Sequence, residues 1–231
     1  MSTRLTAMMS LILAMLLAAC AQSTAVEPAT EAPEAAAAEP NQQSETEEFS
    51  GSEVETLFTL NPELTEARFI IGEILANQPN TVIGANKRIQ GGGVLNTAEP
   101  SQSTLSDFVI DASGFVTDST NRNRAINQFI LQSSQYPFIS FQPIGIVGIP
   151  GEIQVGEPVS FEVSGLLTIR EITQEVTFSG EATMVAEDRV EGMASATVFR
   201  NDFDLSIPSV PRVAGVDDEF ILEIEFVAEA R

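Results

Sequence analysis

Histidine is absent from the 231 residues, tryptophan is absent too, and cysteine occurs once, at Cys20. Each absence removes a class of chemistry. Without histidine there is no Ser-His-Asp or Cys-His arrangement and no imidazole metal ligand. A single cysteine allows no internal disulfide and no thiolate metal cluster. Positive charge is scarce as well: 11 Lys and Arg stand against 33 Asp and Glu, a formal net charge of −22. That excludes a basic nucleic-acid footprint and disfavours adsorption to anionic lipid heads, since both need clustered cations. Membrane attachment, where it exists, must be hydrophobic or covalent.

Carboxylates are the remaining candidates for chemistry. Asp202 with Asp204, and Asp217-Asp218-Glu219, have the spacing of solvated strand edges or loops, and none has that of a calcium loop. Gly91 to Gly93 lacks the Lys-Ser/Thr and following helix of a phosphate cradle, and reads as a bend. No catalytic residue, metal ligand or cofactor is therefore expected.

What is present begins with an export signal. Arg4 precedes a short apolar run from Leu5 to Leu17, too short for a comfortable membrane-spanning helix, and small residues follow. Leu17-Ala18-Ala19-Cys20 resembles the lipobox of bacterial lipoproteins, in which the cysteine becomes the lipid-modified first residue. An ordinary signal cut after Ala19 or Ala21 is the alternative. The position of the only cysteine favours lipidation, with residues 1–19 as signal peptide and anchorage to the cell membrane or outer membrane through Cys20.

Residues 20–56 hold nine glutamates, no basic side chain and few large apolar ones. Such a segment buries too little to offset chain entropy, so a disordered acidic tether is expected. Its root-mean-square reach is about 30–36 Å for a flexible chain.

Residues 57–231 carry 24 acidic and 10 basic side chains, a net charge of −14. Short alternating runs separated by Gly, Pro, Asn and Asp point to an all-β antiparallel sandwich or barrel. Expected strands cover Thr56 to Leu60, Ala67 to Ile71, Thr81 to Ala85 after a Gln78-Pro79-Asn80 turn, and Ser103 to Ala112. The clearest signal is a hairpin: Phe161, Val163, Gly165, Leu167 and Ile169 share one face, Arg170 to Thr173 turn, and Val176 and Phe178 return. Gly192, Ala194, Ala196 and Val198 put small residues on one face, and Phe220, Leu222, Ile224 and Phe226 share a face in the last run.

Between Thr117 and Phe141 the period changes from two to that of a helix. Ile126, Phe129 and Ile130 fall at i, i+3 and i+4, Asp118 or Ser119 can cap the start, and Pro137 ends it. One short helix is thus inserted between strands, its Ile126, Phe129, Ile130 and Leu131 covering the end or side of the sheet. Arg122 is expected to pair with Asp118 one turn earlier, and Arg124 to lie on a solvated face. The competing reading places both at a barrel mouth, facing a polar ligand head. Tyr136 is expected to pack against the helix end.

The stretch Thr117 to Phe141, together with Val163 to Arg170 and Val176-Thr177-Phe178, resembles the YceI-like lipid- or polyisoprenoid-binding family, over Phe58 to Ala228. The resemblance implies a lipocalin-like antiparallel β-barrel with a helix inserted after an early strand, and a long isoprenoid chain held inside. Two departures are visible: Glu171 stands where the family commonly has glycine, and its early histidines are missing.

A small barrel interior is either filled by side chains or holds one small ligand. Gly165, Gly192, Ala194 and Ala196 on inward faces would leave a slot lined by Phe69, Phe108, Phe161, Val163, Leu167, Val176, Phe178, Leu222 and Phe226. Residue by residue these read as ordinary core; the family resemblance raises the cavity above it. The expected partner is an apolar lipid such as an isoprenoid. The alternative is a protein-interaction module with a filled barrel.

Overall fold

The computed structural model describes residues 55–231; the expected signal peptide, Cys20 and the expected acidic tether up to residue 54 lie outside them. Strands β1 (Glu55–Leu60) and β2 (Glu66–Leu75) form one bent run. It pairs antiparallel with a second bent run made of β3 (Gln78–Asn86), β4 (Ile89–Gln90) and β5 (Gly92–Asn96). Strands β6 (Thr104–Leu105) and β7 (Phe108–Asp111) make a third, pairing with β5 and β4. The helix follows. Then β8 (Phe138–Val147), β9 (Pro158–Ile169), β10 (Ile172–Ala186), β11 (Arg189–Phe199) and β12 (Val213–Ala230) each pair with the next. Strand β12 closes the circuit on β1 and β2, and β7 pairs with β8. The result is a curled antiparallel β-barrel.

Side-chain chemistry explains where the bent runs break. At Asn61-Pro62 proline removes a ladder donor, and the Asn61 side chain accepts from the Glu63 N–H at 3.0 Å. Thr65, wholly buried, accepts from the Val227 N–H through its hydroxyl at 3.2 Å, and the Val227 carbonyl accepts from the Asn61 N–H at 2.8 Å and the Thr65 hydroxyl at 3.3 Å. Gly91 breaks the next run. Its carbonyl still accepts from the Leu60 N–H at 3.0 Å, so the bend keeps its pairing across to β1.

Several boundaries differ from expectation. Glu55, the first described residue, is already paired: Glu55 and Thr56 lie opposite Asn96 and Leu95, because backbone pairing does not require an apolar side chain. Gln78, Pro79 and Asn80 lie inside β3, and the turn is Ala76-Asn77, at φ of 50° and 64°. Two consecutive positive φ values are what a tight two-residue hairpin demands, and asparagine tolerates them. Pro79 is accommodated because, among the described residues, β3 pairs only with β2 there, leaving an edge. Ser103 to Ala112 is two short strands, bent at Ser106-Asp107.

The hairpin of β9 and β10 forms as the alternation predicts, turning at Arg170-Glu171 with Arg170 at φ 58°. The inserted helix is also present, as α1 (Thr120–Ala125), and the Ser119 hydroxyl accepts from the Arg122 N–H. Its last turn, Ile126–Ile130, widens to a π-helix, in which the Leu131 N–H donates to the Ile126 carbonyl at 2.8 Å. The wider turn rotates the face. Ile126 and Leu131 are buried and Ile130 packs beside them, but Phe129 is 59% exposed and does not cover the sheet.

Arg122 holds the helix to the barrel wall. Its guanidinium bonds Asp118 as expected and also donates to Glu73 on β2 at 2.9 Å, where Glu73 additionally accepts from Asn80 at 2.8 Å. Tyr136 sits under Arg170, 5.8 Å from ring centroid to guanidinium carbon, fastening the segment after the helix to the β9–β10 turn.

Candidate functional site

The barrel interior is filled at one end and hollow at the other. The continuous apolar cluster lies at the helix end: Ile126 and Leu131 from the helix, Phe203 and Leu205 from the β11–β12 connection, and Ile139, Leu167, Ile169, Val176, Ala196, Val198 and Phe220 from the strands. Beyond it, toward the loop 148–157 and the ends of β5, β10 and β12, a cavity of about 310 Å³ opens. This lies in the range of small-molecule sites, about 300–1,000 Å³.

The walls are almost wholly apolar. Phe108, Phe161, Val163, Leu167, Phe178, Leu222 and Phe226, all expected from the sequence to line a slot, do line the cavity. Phe69 and Val176, expected with them, belong to the packed end instead: Phe69 stacks on Phe115 at 5.6 Å and Val176 is buried in the cluster. They fall beyond the floor because the helix plugs their end of the barrel. The floor is a chain of rings, with Phe141 standing 6.5 Å from Phe108 and 5.1 Å from Phe178, and Phe161 faces Phe226 at 6.5 Å higher up.

Small residues do not create the hollow in the expected way. A Cβ at Gly165 would meet the Phe141 ring at 2.5 Å, and one at Gly192 the Phe226 ring at 2.6 Å, so aromatic edges occupy both glycine sites. Ala196 lies in the packed cluster, and Ala194 alone of the four lines the cavity. Among the described residues no element fills that end as the helix fills the other.

Sequence reasoning missed the residues of the glycine-rich connection. Ile146, Ile149 and Ile153 line the cavity from β8 and the loop 148–157, bounded by Gly148 and Gly156 at φ of 91° and 87°. The signal was available: isoleucines recurring between glycines in an otherwise turn-like stretch. Phe58, Phe115, Phe141 and Met184 were likewise not singled out for the wall.

Charge stays outside. Arg68 and Glu223 border the cavity, yet they face each other across the β2–β12 ladder on the side opposite Ala67 and Leu222, with Arg68 Nε 3.3 Å from Glu223. Arg68 also meets Glu66 and Glu225, so one cation stands among three carboxylates. Arg122 and Arg124 do not reach the hollow end: Arg122 is engaged by Asp118 and Glu73, and Arg124 is exposed on α1. Two perturbed groups lie off the cavity wall. Hydrogen bonds from Ser113 hold the Asp111 carboxyl below its ordinary 3.8, assisted by Arg88. The Glu171 carboxylate, as hydrogen-bond partner and nearby charge, pushes the Tyr136 phenol up. No cluster of three or more metal-ligating side chains occurs among the described residues.

A barrel with one plugged end, an inserted helix and an apolar hollow can be set against known proteins. Residues 58–228 match the YceI-like domain. The chain belongs to the YceI-like family. Solved relatives share the fold at low identity. A polyisoprenoid-binding domain from Saccharophagus degradans, implicated in plant cell wall breakdown, is 14% identical with a TM-score of 0.59, covering 76% of this chain and 99% of its own. Burkholderia cenocepacia BcnA is 17% identical at 0.57, covering 73% of this chain and 98% of its own. The Campylobacter jejuni YceI protein is 19% identical at 0.51, covering 64% and 84%. No curated protein matches the sequence.

Proposed function

We propose that this YceI-like protein holds a long apolar lipid of the polyisoprenoid kind inside its barrel, as a carrier or sequestering protein of the bacterial cell envelope. One observation carries the reading: the hollow half of the barrel is a cavity of about 310 Å³ with apolar walls, in a fold plugged at the other end. Burial of the lipid chain supplies the affinity, at about 25 cal/mol per Å² of apolar surface. The polyisoprenoid-binding relative supports the choice of ligand class.

The head of the lipid is neutral or weakly polar. A net charge of −14 on residues 57–231 repels an anionic head, and both Arg122 and Arg124 sit on the helix at the plugged end. Alcohols and quinone-like isoprenoids fit; diphosphates do not. Cys20, in its lipobox-like setting, is the proposed membrane anchor, and the acidic stretch before Glu55 the tether.

Native mass spectrometry of the protein purified from its own cells tests the ligand: a retained apolar mass is expected. A barrel that retains nothing and instead captures a protein through an exposed patch would favour the interaction-module reading. Cys20→Ser should move the protein out of the membrane fraction, since stable attachment needs the acyl chains.

A further inference from the structure

Among the described residues the barrel wall is not sealed all the way round. Pairing of β8 with β7 ends at Phe141 opposite Phe108, and from Gln142 to Val147 strand β8 pairs, among the described residues, only with β9. On the facing side β6 pairs, among the described residues, only with β5, through Thr104 and Leu105. The sequence provides for the parting. Pro143 offers no N–H, and the register slips between Pro143 and Gly145, a bulge that turns the strand. Across from it, Ser106-Asp107 interrupts the third run. Ser103, Thr104 and Leu105 on one lip and Ile146 on the other all line the cavity.

The outside of this gap is apolar. Ile144 at the bulge is 58% exposed, Val147 60%, and Val155 on the neighbouring loop 53%. A second hollow of about 190 Å³ lies against Leu57, Thr59 and Ser106 and shares Phe58, Thr104 and Leu105 with the main cavity. Apolar surface thus continues from inside the barrel to its exterior at this place. The framing segments 97–107 and 142–158 carry Glu99, Asp107, Glu152 and Glu157 and no basic side chain.

We infer that the gap between β6 and the outer half of β8 is a lateral portal that docks on a zwitterionic lipid surface, through which the apolar chain enters and leaves sideways. The inference rests on the lipid-binding reading above. Ile144 and Val147 reach below the headgroups. The unpaired backbone groups of Gln142–Val147 stay in the hydrated headgroup layer, because in hydrocarbon they would have no partner. The four carboxylates and the lack of Lys and Arg select against an anionic surface. The occupant is a lipid surface because the exposed patch is continuous with an apolar interior, and because the chain's own signal run and lipobox-like cysteine precede the barrel.

The test uses the full chain with Cys20→Ser, so that no anchor contributes, mixed with phosphatidylcholine vesicles containing a fluorescent polyprenol. Transfer rate, polyprenol bound at equilibrium and melting midpoint are recorded. Ile144→Glu and Val147→Glu should each slow transfer about tenfold, equivalent to 1.4 kcal/mol, with equilibrium binding and midpoint unchanged. Ile83→Glu, on exposed β3, should transfer like the parent, and adding phosphatidylglycerol to the vesicles should slow every variant. Unchanged rates in both portal variants, with polyprenol bound, would overturn the portal and leave the carrier reading standing. Equal or faster transfer from anionic vesicles overturns the zwitterionic surface. A parent that binds no polyprenol at equilibrium overturns both the portal and the carrier.

Discussion

Phe226 stands directly opposite Gly192 in the β11–β12 ladder, and its ring occupies the space where a side chain at 192 would be. A Cβ at Gly192 would also approach the Glu181 carbonyl at 2.5 Å, so neither ring nor backbone can yield without cost. Gly192→Ala should destabilise the barrel by about 1–3 kcal/mol, the usual scale of overpacking. Gly145, with nothing within 4 Å of its Cβ position, is the control. Gly145→Ala should be neutral or stabilise by about 0.4–1 kcal/mol through the unfolded chain. Urea denaturation of the two variants checks the contrast.

The helix clamp separates into a strong and a weak half. Glu73 is 5% exposed in its side chain and depends on Arg122 and Asn80, whereas Asp118 is 81% exposed. Arg122→Ala should cost about 2–3 kcal/mol, because it strands a buried carboxylate. Asp118→Ala should cost no more than about 0.5 kcal/mol. Thermal or urea unfolding distinguishes the two, and equal losses would place the weight on the exposed pair.

Volume added at two depths should have opposite effects. Leu167 lines the cavity but also belongs to the packed cluster, so Leu167→Phe should lose about 1–3 kcal/mol by overpacking. Ala182 faces the hollow half and is absent from the cluster. Ala182→Phe should keep the parent's melting midpoint and lose most of the copurifying lipid, read by mass spectrometry of the folded protein. A midpoint drop equal to that of Leu167→Phe would show that the hollow closes in solution.

Asp111 makes the acid limb of stability testable. Its carboxyl is held below 3.8 chiefly by the Ser113 hydroxyl, so its contribution is complete above 3.8 and is lost as pH falls through the lower folded value. Ser113→Ala should raise the Asp111 titration midpoint toward 3.8 and flatten the dependence of stability on pH below it. Carboxyl-carbon NMR titration reads the midpoint; an unchanged value would assign the shift to the backbone N–H of residue 113 and to Arg88.

Local patterns were legible in the sequence, and long-range pairings were not. Strict alternation from Phe161 to Ile169 and from Gln174 to Phe178 fixed a hairpin, since each side chain's face follows from period two. The switch of period between Thr117 and Phe141 located the helix, and of the two candidate caps, Asp118 and Ser119, the structure uses Ser119. Phe129 was misplaced because a helix-face argument assumes 3.6 residues per turn, and the π turn after Ala125 shifts everything behind it. The turn signal of Gln78-Pro79-Asn80 misleads, because proline is tolerated on an edge that only the assembled sheet defines. The cavity walls were mostly readable as inward faces. Which end stayed empty depended on where the helix landed, and which glycines were open depended on cross-strand rings such as Phe141 and Phe226.

The circuit that joins the first strands to the last also sets the order of events when the chain folds. Strands β1 and β2 find their second neighbour only in β12, and Arg231 donates to the Thr59 hydroxyl across 172 residues of chain. Pairings this distant in sequence form late and slowly, because loop closure must precede any reward from contact. Until Val213 to Ala230 is available, the N-terminal strands lack a partner on one side and the barrel stays open. A chain that still lacks Val213–Ala230 therefore keeps the barrel open, and truncation anywhere before β12 leaves two strands with an exposed edge.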